Sequence, residues 1–75
     1  MKQDIYYIID NTDGKIKYLN SISGSRSSGT YYESPNLAIE FDELDTARAI
    51  ANWLSRNNPD MDIKVAKMTC TIDIL

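Results

Sequence analysis

The sequence predicts an α+β domain, a small antiparallel sheet of three to four strands packed against one amphipathic helix in the order ββ(β)αβ. Three observations carry that expectation. Residues 4–10 are almost entirely β-branched and aromatic, with Ile5, Tyr6, Tyr7, Ile8 and Ile9 in succession. Leu44, Ala47, Ile50, Ala51 and Leu54 recur at helical spacing and draw one apolar stripe. Ile63 and Val65 then alternate with Lys64 beyond a break at Pro59, as a half-buried strand does.

Taken in order, the first strand carries apolar groups on both faces (Ile5, Tyr7 and Ile9 against Tyr6 and Ile8), which suits a central strand or one whose second face meets a partner. Asn11, Thr12, Asp13 and Gly14 supply turn chemistry, and residues 15–22 return as a second strand. Two registers are open. A four-residue loop pairs Ile9 with Ile16 and Tyr7 with Tyr18, whereas a tight turn at Asp13 and Gly14 pairs Ile9 with Tyr18 and Asp10 with Lys17. Residues 21–34 hold six of the seven serines, and Ser23 to Gly29 has little to bury, so a mobile loop is expected there. Thr30 to Glu33 reads as a short strand. Leu37, Ile39 and Phe41 read as a further short strand or an extended lead into the helix.

The helix is expected over 43–57. Asp42 is its N-cap, Glu43 and Asp45 place negative charge at its positive end, and Phe41 packs across the first turn. Arg56 lies in the last turn, and Asn57, Asn58 and Pro59 stop it. In the last strand Met68, Cys70, Ile72 and Ile74 have the opposite parity to Ile63 and Val65, which predicts a bulge or break near Ala66 and Lys67. Nothing suggests a repeat or a linker, so residues 1–75 form a single domain.

Composition narrows function mainly by exclusion. The chain has 75 residues, 43% of them hydrophobic and 25% charged, an ordinary globular balance. A core this small often gains stability from a disulfide, a metal or a second copy. One cysteine and no histidine remove an internal disulfide and a Cys/His zinc site, which raises the weight of self-association, although many domains of this length fold alone. The same count removes Ser-His-Asp and Cys-His catalysis, and Cys70 reads as a packing thiol among Met68, Ile72 and Ile74. No enzyme, cofactor or metal is expected. A net charge of −3 argues against direct nucleic-acid binding. No apolar run is long enough for a membrane span, and the free thiol without an export signal fits the cytoplasm.

Two stretches stand out as binding candidates. Glu40, Asp42, Glu43 and Asp45 form an acidic group that capping and solvation explain, or that docks on a basic partner surface with Trp53 beside the apolar stripe. The segment Ser25, Arg26, Ser27 and Ser28, followed by Tyr31 and Tyr32, is a plain hairpin loop, or a cradle for an anion or nucleotide with the tyrosines stacking on a base. It matches no phosphate-loop pattern. Five tyrosines and one tryptophan exceed the needs of a small core, so part of that aromatic surface is available for an interface.

The segments YYIID (6–10), NTDGK (11–15), FDELDTARAIANWL (41–54) and DIKVAKM (62–68) together resemble small proteins encoded by phages and prophages of low-GC Gram-positive bacteria. The resemblance spans residues 4–68 and rests on a helix-and-sheet pattern that any ββαβ domain shares. It implies an accessory protein that binds and inhibits a bacterial host protein, a defence nuclease among the options, as anti-CRISPR proteins do. It transfers no site residues. Two other readings stay open: an oligomer that sequesters a nucleotide or anion through the Ser/Gly/Arg loop, and a self-associating structural protein.

Overall fold

A computed structural model describes residues 2–24 and 28–71. Four strands, β1 (Lys2–Asp10), β2 (Lys17–Ser23), β3 (Ser28–Tyr32) and β4 (Ile63–Thr71), form one antiparallel sheet in the order β3-β2-β1-β4. The single helix, α1 (Leu44–Asn57), falls between β3 and β4 and covers one face. This is the α+β architecture that the hydrophobic periodicities predict, with β1 in a central position. No helix among the described residues is long and apolar enough to cross a membrane.

The core is small. Ile8, Leu19, Ala51 and Leu54 are its buried centre, and Tyr31, Ile39, Phe41, Ile50, Trp53, Ile63 and Val65 pack around them. Every strand residue in that set belongs to one sheet face by alternation. The helix contributes the expected stripe, with Ala47, Ala51 and Leu54 buried and Leu44 and Ile50 half-buried. Its C-terminal carbonyls are satisfied by side chains. Asn57 Nδ2 donates to the Trp53 carbonyl at 2.8 Å and Asn58 Nδ2 to the Leu54 carbonyl at 2.9 Å, after which Pro59 prevents continuation.

The strand pairings differ sharply in length. β1 and β4 pair without interruption from Lys2 with Thr71 to Asp10 with Ile63. β1 and β2 pair only at Ile9 with Tyr18 and Asp10 with Lys17, and then separate. The segment 39–41 fills the gap between them. Phe41 exchanges backbone bonds with Tyr6 at 2.7 and 2.9 Å, and the Ile39 amide donates to the Leu19 carbonyl at 2.9 Å. The Leu37, Ile39, Phe41 alternation is therefore an extended lead into the helix that supplies single bridges to two strands. A 3₁₀ turn at Pro35–Leu37 precedes it, with Ser34 as its N-cap.

Several finer expectations need correction. The hairpin takes the register that pairs Ile9 with Tyr18, but through a wider connection than a two-residue turn. The Gly14 amide donates to the Asn11 carbonyl at 3.2 Å, Gly14 sits at φ 77°, and pairing resumes only at Lys17. The N-cap is Glu43, with no side-chain cap bond, not Asp42. The two hydrogen bonds between Phe41 and Tyr6 hold the chain extended, which delays the helix start. β4 shows no bulge at Ala66 or Lys67. Its apolar positions change face because Met68 lies opposite Ile5, on the side away from the helix. The irregularity sits in β2, between Leu19 and Ser21. The β2–β3 ladder runs out to Ser23 with Ser28, so the segment between these strands is shorter than the Ser23–Gly29 loop expected. Gly29 belongs to β3 for a packing reason, since a Cβ there would lie 2.5 Å from Leu19 Cδ1. The expectations for Ile72 and Ile74 and for the Cys70 thiol lie outside the described residues.

Candidate functional site

β1 ends in a polar clamp. Asp10 is buried on the helix side of the sheet, and its Oδ1 accepts from the Thr12 amide at 3.1 Å and from the Thr12 hydroxyl. That hydroxyl oxygen in turn accepts from the Asp62 amide at 3.0 Å, while the Asn11 amide donates to the Asp62 carbonyl at 3.0 Å. The buried carboxylate thus ties the first turn to the start of β4. The arrangement satisfies a charge that would otherwise be costly at this depth. Near it, burial first and the Asp10 charge second raise the Tyr31 phenol above the ordinary value of 10.0. Among the described residues the Tyr31 hydroxyl oxygen, itself buried, has no hydrogen-bond partner.

The two stretches singled out in the sequence fare differently. Glu40, Asp42, Glu43 and Asp45 are all exposed along the lead into α1 and its first turn. Trp53, by contrast, packs against the core and does not join them as a free ring. Ser25, Arg26 and Ser27 lie outside the described residues. Of the remaining members of that group, Ser28 is paired with Ser23, Tyr31 turns to the core, and Tyr32 turns to the opposite face, 49% exposed. Neighbouring strand residues point to opposite sides, so the two rings cannot form one stacking platform.

The face of the sheet away from α1 gathers what the sequence left unassigned. Ile5, Tyr7 and Ile9 of β1 share it with Tyr18 of β2, Tyr32 of β3 and Met68 of β4. Tyr7 is buried there beneath Tyr18, their rings meeting edge to face with centroids 5.8 Å apart. Tyr7 Oη also donates to Glu40 Oε1 at 3.4 Å, which brings one member of the acidic group onto this face. Ile5, Ile9 and Tyr18 are half-buried, while Tyr32 and Met68 are exposed. Among the described residues no helix covers this side.

On the helix side a cavity of about 540 Å³ opens between α1 and the β1–β4 pair. Leu44, Ala51, Ile63 and Val65 form its apolar walls, Tyr6 and Asn52 add polar atoms, and Arg48 and Lys67 supply two positive charges, whereas Lys64, paired with Ile9, turns its side chain to the other face. Sequence reading missed this grouping because its cations are scattered along the chain. Two signals pointed to it: Arg48 and Asn52 stand one helical turn apart beside the apolar stripe, and Lys67 occupies the parity of Ile63 and Val65.

Fold and surfaces together define a small two-layer α+β domain with one open sheet face and one cationic groove. No protein-family model matches the chain, and neither the curated proteins nor the solved structures contain a match to it.

Proposed function

We propose that this chain is a non-enzymatic binding protein that docks on a protein partner through the helix-free face of its sheet. The observation that carries this reading is the aromatic and apolar cluster on that face, with Tyr32 and Met68 exposed above half-buried Ile5, Ile9 and Tyr18. Tyrosine and methionine are favoured interface residues, because they bury much area and adapt to a partner, and here they stand on the two outer strands, either side of the half-buried residues. Glu40 on the same face, with Asp42, Glu43 and Asp45 following in the chain, supplies an acidic flank suited to a basic partner surface. The resemblance to phage-encoded accessory proteins directs the proposal to a bacterial host protein in the cytoplasm, a defence nuclease first among them, inhibited by occlusion.

The test is capture from host lysate by tagged protein, with Tyr32→Asp/Met68→Asp as the paired variant. Both side chains are exposed, so the variant keeps its fold, which a thermal melt verifies. A stoichiometric partner held by the native chain and lost by the variant supports the reading. Charge reversal by Glu43→Lys with Asp45→Lys weakens capture and removes its salt sensitivity. A partner retained equally by all variants, or none at all, overturns it. Sedimentation that shows a dimer dissolved by Tyr32→Asp assigns the face to a second copy of the chain instead.

A further inference from the structure

We infer that the free edge of β4 and the groove beside it receive an extended acidic segment of a partner as an added strand. β4 closes one end of the sheet order, so it is bonded to β1 on one side only. An edge strand of nine residues offers a row of backbone amides and carbonyls about 30 Å long, the template used in strand addition. A segment laid along it would continue the sheet. Its alternate side chains would turn toward α1, where the 540 Å³ cavity presents Leu44, Ala51, Ile63 and Val65.

Charge selects the occupant. The chain as a whole has eleven acidic and eight basic residues, yet the groove sets the cations Arg48 and Lys67 together, and its lining among the described residues holds no carboxylate. Neither Arg48 nor Lys67 has an ion pair among the described residues, while Lys64 on the other face is held by Asp62 at 3.5 Å. Lysines on an edge strand also guard against sheet-to-sheet aggregation, which accounts for Lys64 and Lys67. It does not account for Arg48, which faces the groove from the helix, or for the open apolar walls. A second copy is a poor occupant, since a β4 edge laid on another brings Lys64 and Lys67 and no carboxylate to meet the groove's cations. A strand that alternates apolar residues with Asp or Glu satisfies edge, walls and charge together. The groove lies on the other side of the sheet from the face proposed above. Strand addition needs the β4 backbone with Arg48 and Lys67 but neither Tyr32 nor the Met68 side chain, so either proposal can fail without the other.

The probe is a labelled peptide of nine residues, the length of β4, alternating Val and Glu. Its controls are the Val/Lys counterpart and the same Val/Glu peptide N-methylated at alternate positions. Fluorescence anisotropy should show binding of the Val/Glu peptide alone, and amide shifts should map to β4 and α1. N-methylation, which removes the donors of a strand ladder, and the Arg48→Glu/Lys67→Glu variant should each weaken binding by about tenfold or more. Both side chains are exposed, and the N-methylated peptide tests the native chain should that variant not fold. Equal binding of the N-methylated peptide overturns strand addition. Inorganic phosphate or a nucleotide that shifts the groove amides while the peptide does not would make this a small-anion site. Sedimentation that shows a dimer abolished by Lys67→Glu/Arg48→Glu would assign the edge to a second copy.

Discussion

The two sides of β1 are built on different principles. Toward β4 it forms an unbroken ladder from Lys2 to Asp10, reinforced by Thr69 Oγ1 donating to Asp4 Oδ1 at 2.9 Å and by the clamp around Asp10. Toward β2 it forms two pairs and then yields to the segment 39–41. The long ladder joins strands far apart in the chain, while the neighbouring hairpin is the weakly paired one. On the β2 side cohesion rests on interdigitated side chains, with Leu19 set between Gly29 and the core. On the β4 side backbone bonds carry more of it.

The largest expected effect breaks this contrast directly. Leu19→Ala should cost about 3 kcal/mol, because Leu19 is 1% exposed and its truncation leaves a cavity in the buried cluster with Ile8, Ala51 and Leu54. Val65→Ala, half-buried on the fully paired strand, should cost about 1 kcal/mol. Urea unfolding of the two variants measures the gap, and equal costs would erase the distinction between the sides.

A smaller effect sharpens the β2 side. Gly29→Ala places a Cβ 2.5 Å from Leu19 Cδ1 and 3.3 Å from the Ser21 carbonyl oxygen. The resulting overpacking should cost about 2 kcal/mol. Combining it with Leu19→Ala should recover part of that loss, a coupling that a double-mutant cycle reads directly.

The smallest effect is a gain. Tyr31→Phe removes a buried hydroxyl oxygen without a partner and should stabilise the fold by about 1 kcal/mol at neutral pH. The phenol is raised in the native state, so the unfolded chain loses its proton first as pH passes 10.0. Titration of this group leaves native stability unchanged below that value and lowers it above. The advantage of the Tyr31→Phe variant over the native chain, measured by denaturant unfolding on either side of that value, should therefore widen on the alkaline side.

What was legible in the sequence follows from how local each signal is. The helix, β1 and β4 announce themselves through periodicity within a short stretch of chain, and Ala47, Ala51 and Leu54 are buried where the stripe places them. The position of residues 39–41 between two strands depends on Tyr6 and Leu19, both distant in the chain, and no local pattern encodes it. Parity suggested a bulge in β4 because it assumes one buried face. The sheet instead uses its helix-free face for Met68 and Tyr7, so the change of parity needs no break. The acidic group was visible as charge density. The cationic groove was not, since Arg48 and Lys67 meet only through the packing of α1 on the sheet.

The β1–β4 ladder also sets a timetable. Lys2 and Thr71 are partners, so on a ribosome β1 emerges long before the strand that completes it. During that interval β1 has an unpaired edge and two apolar faces, and the adjoining hairpin shields only its last residues. Until the ladder closes, β1 is the segment of a nascent chain most open to pairing with the edge of another chain.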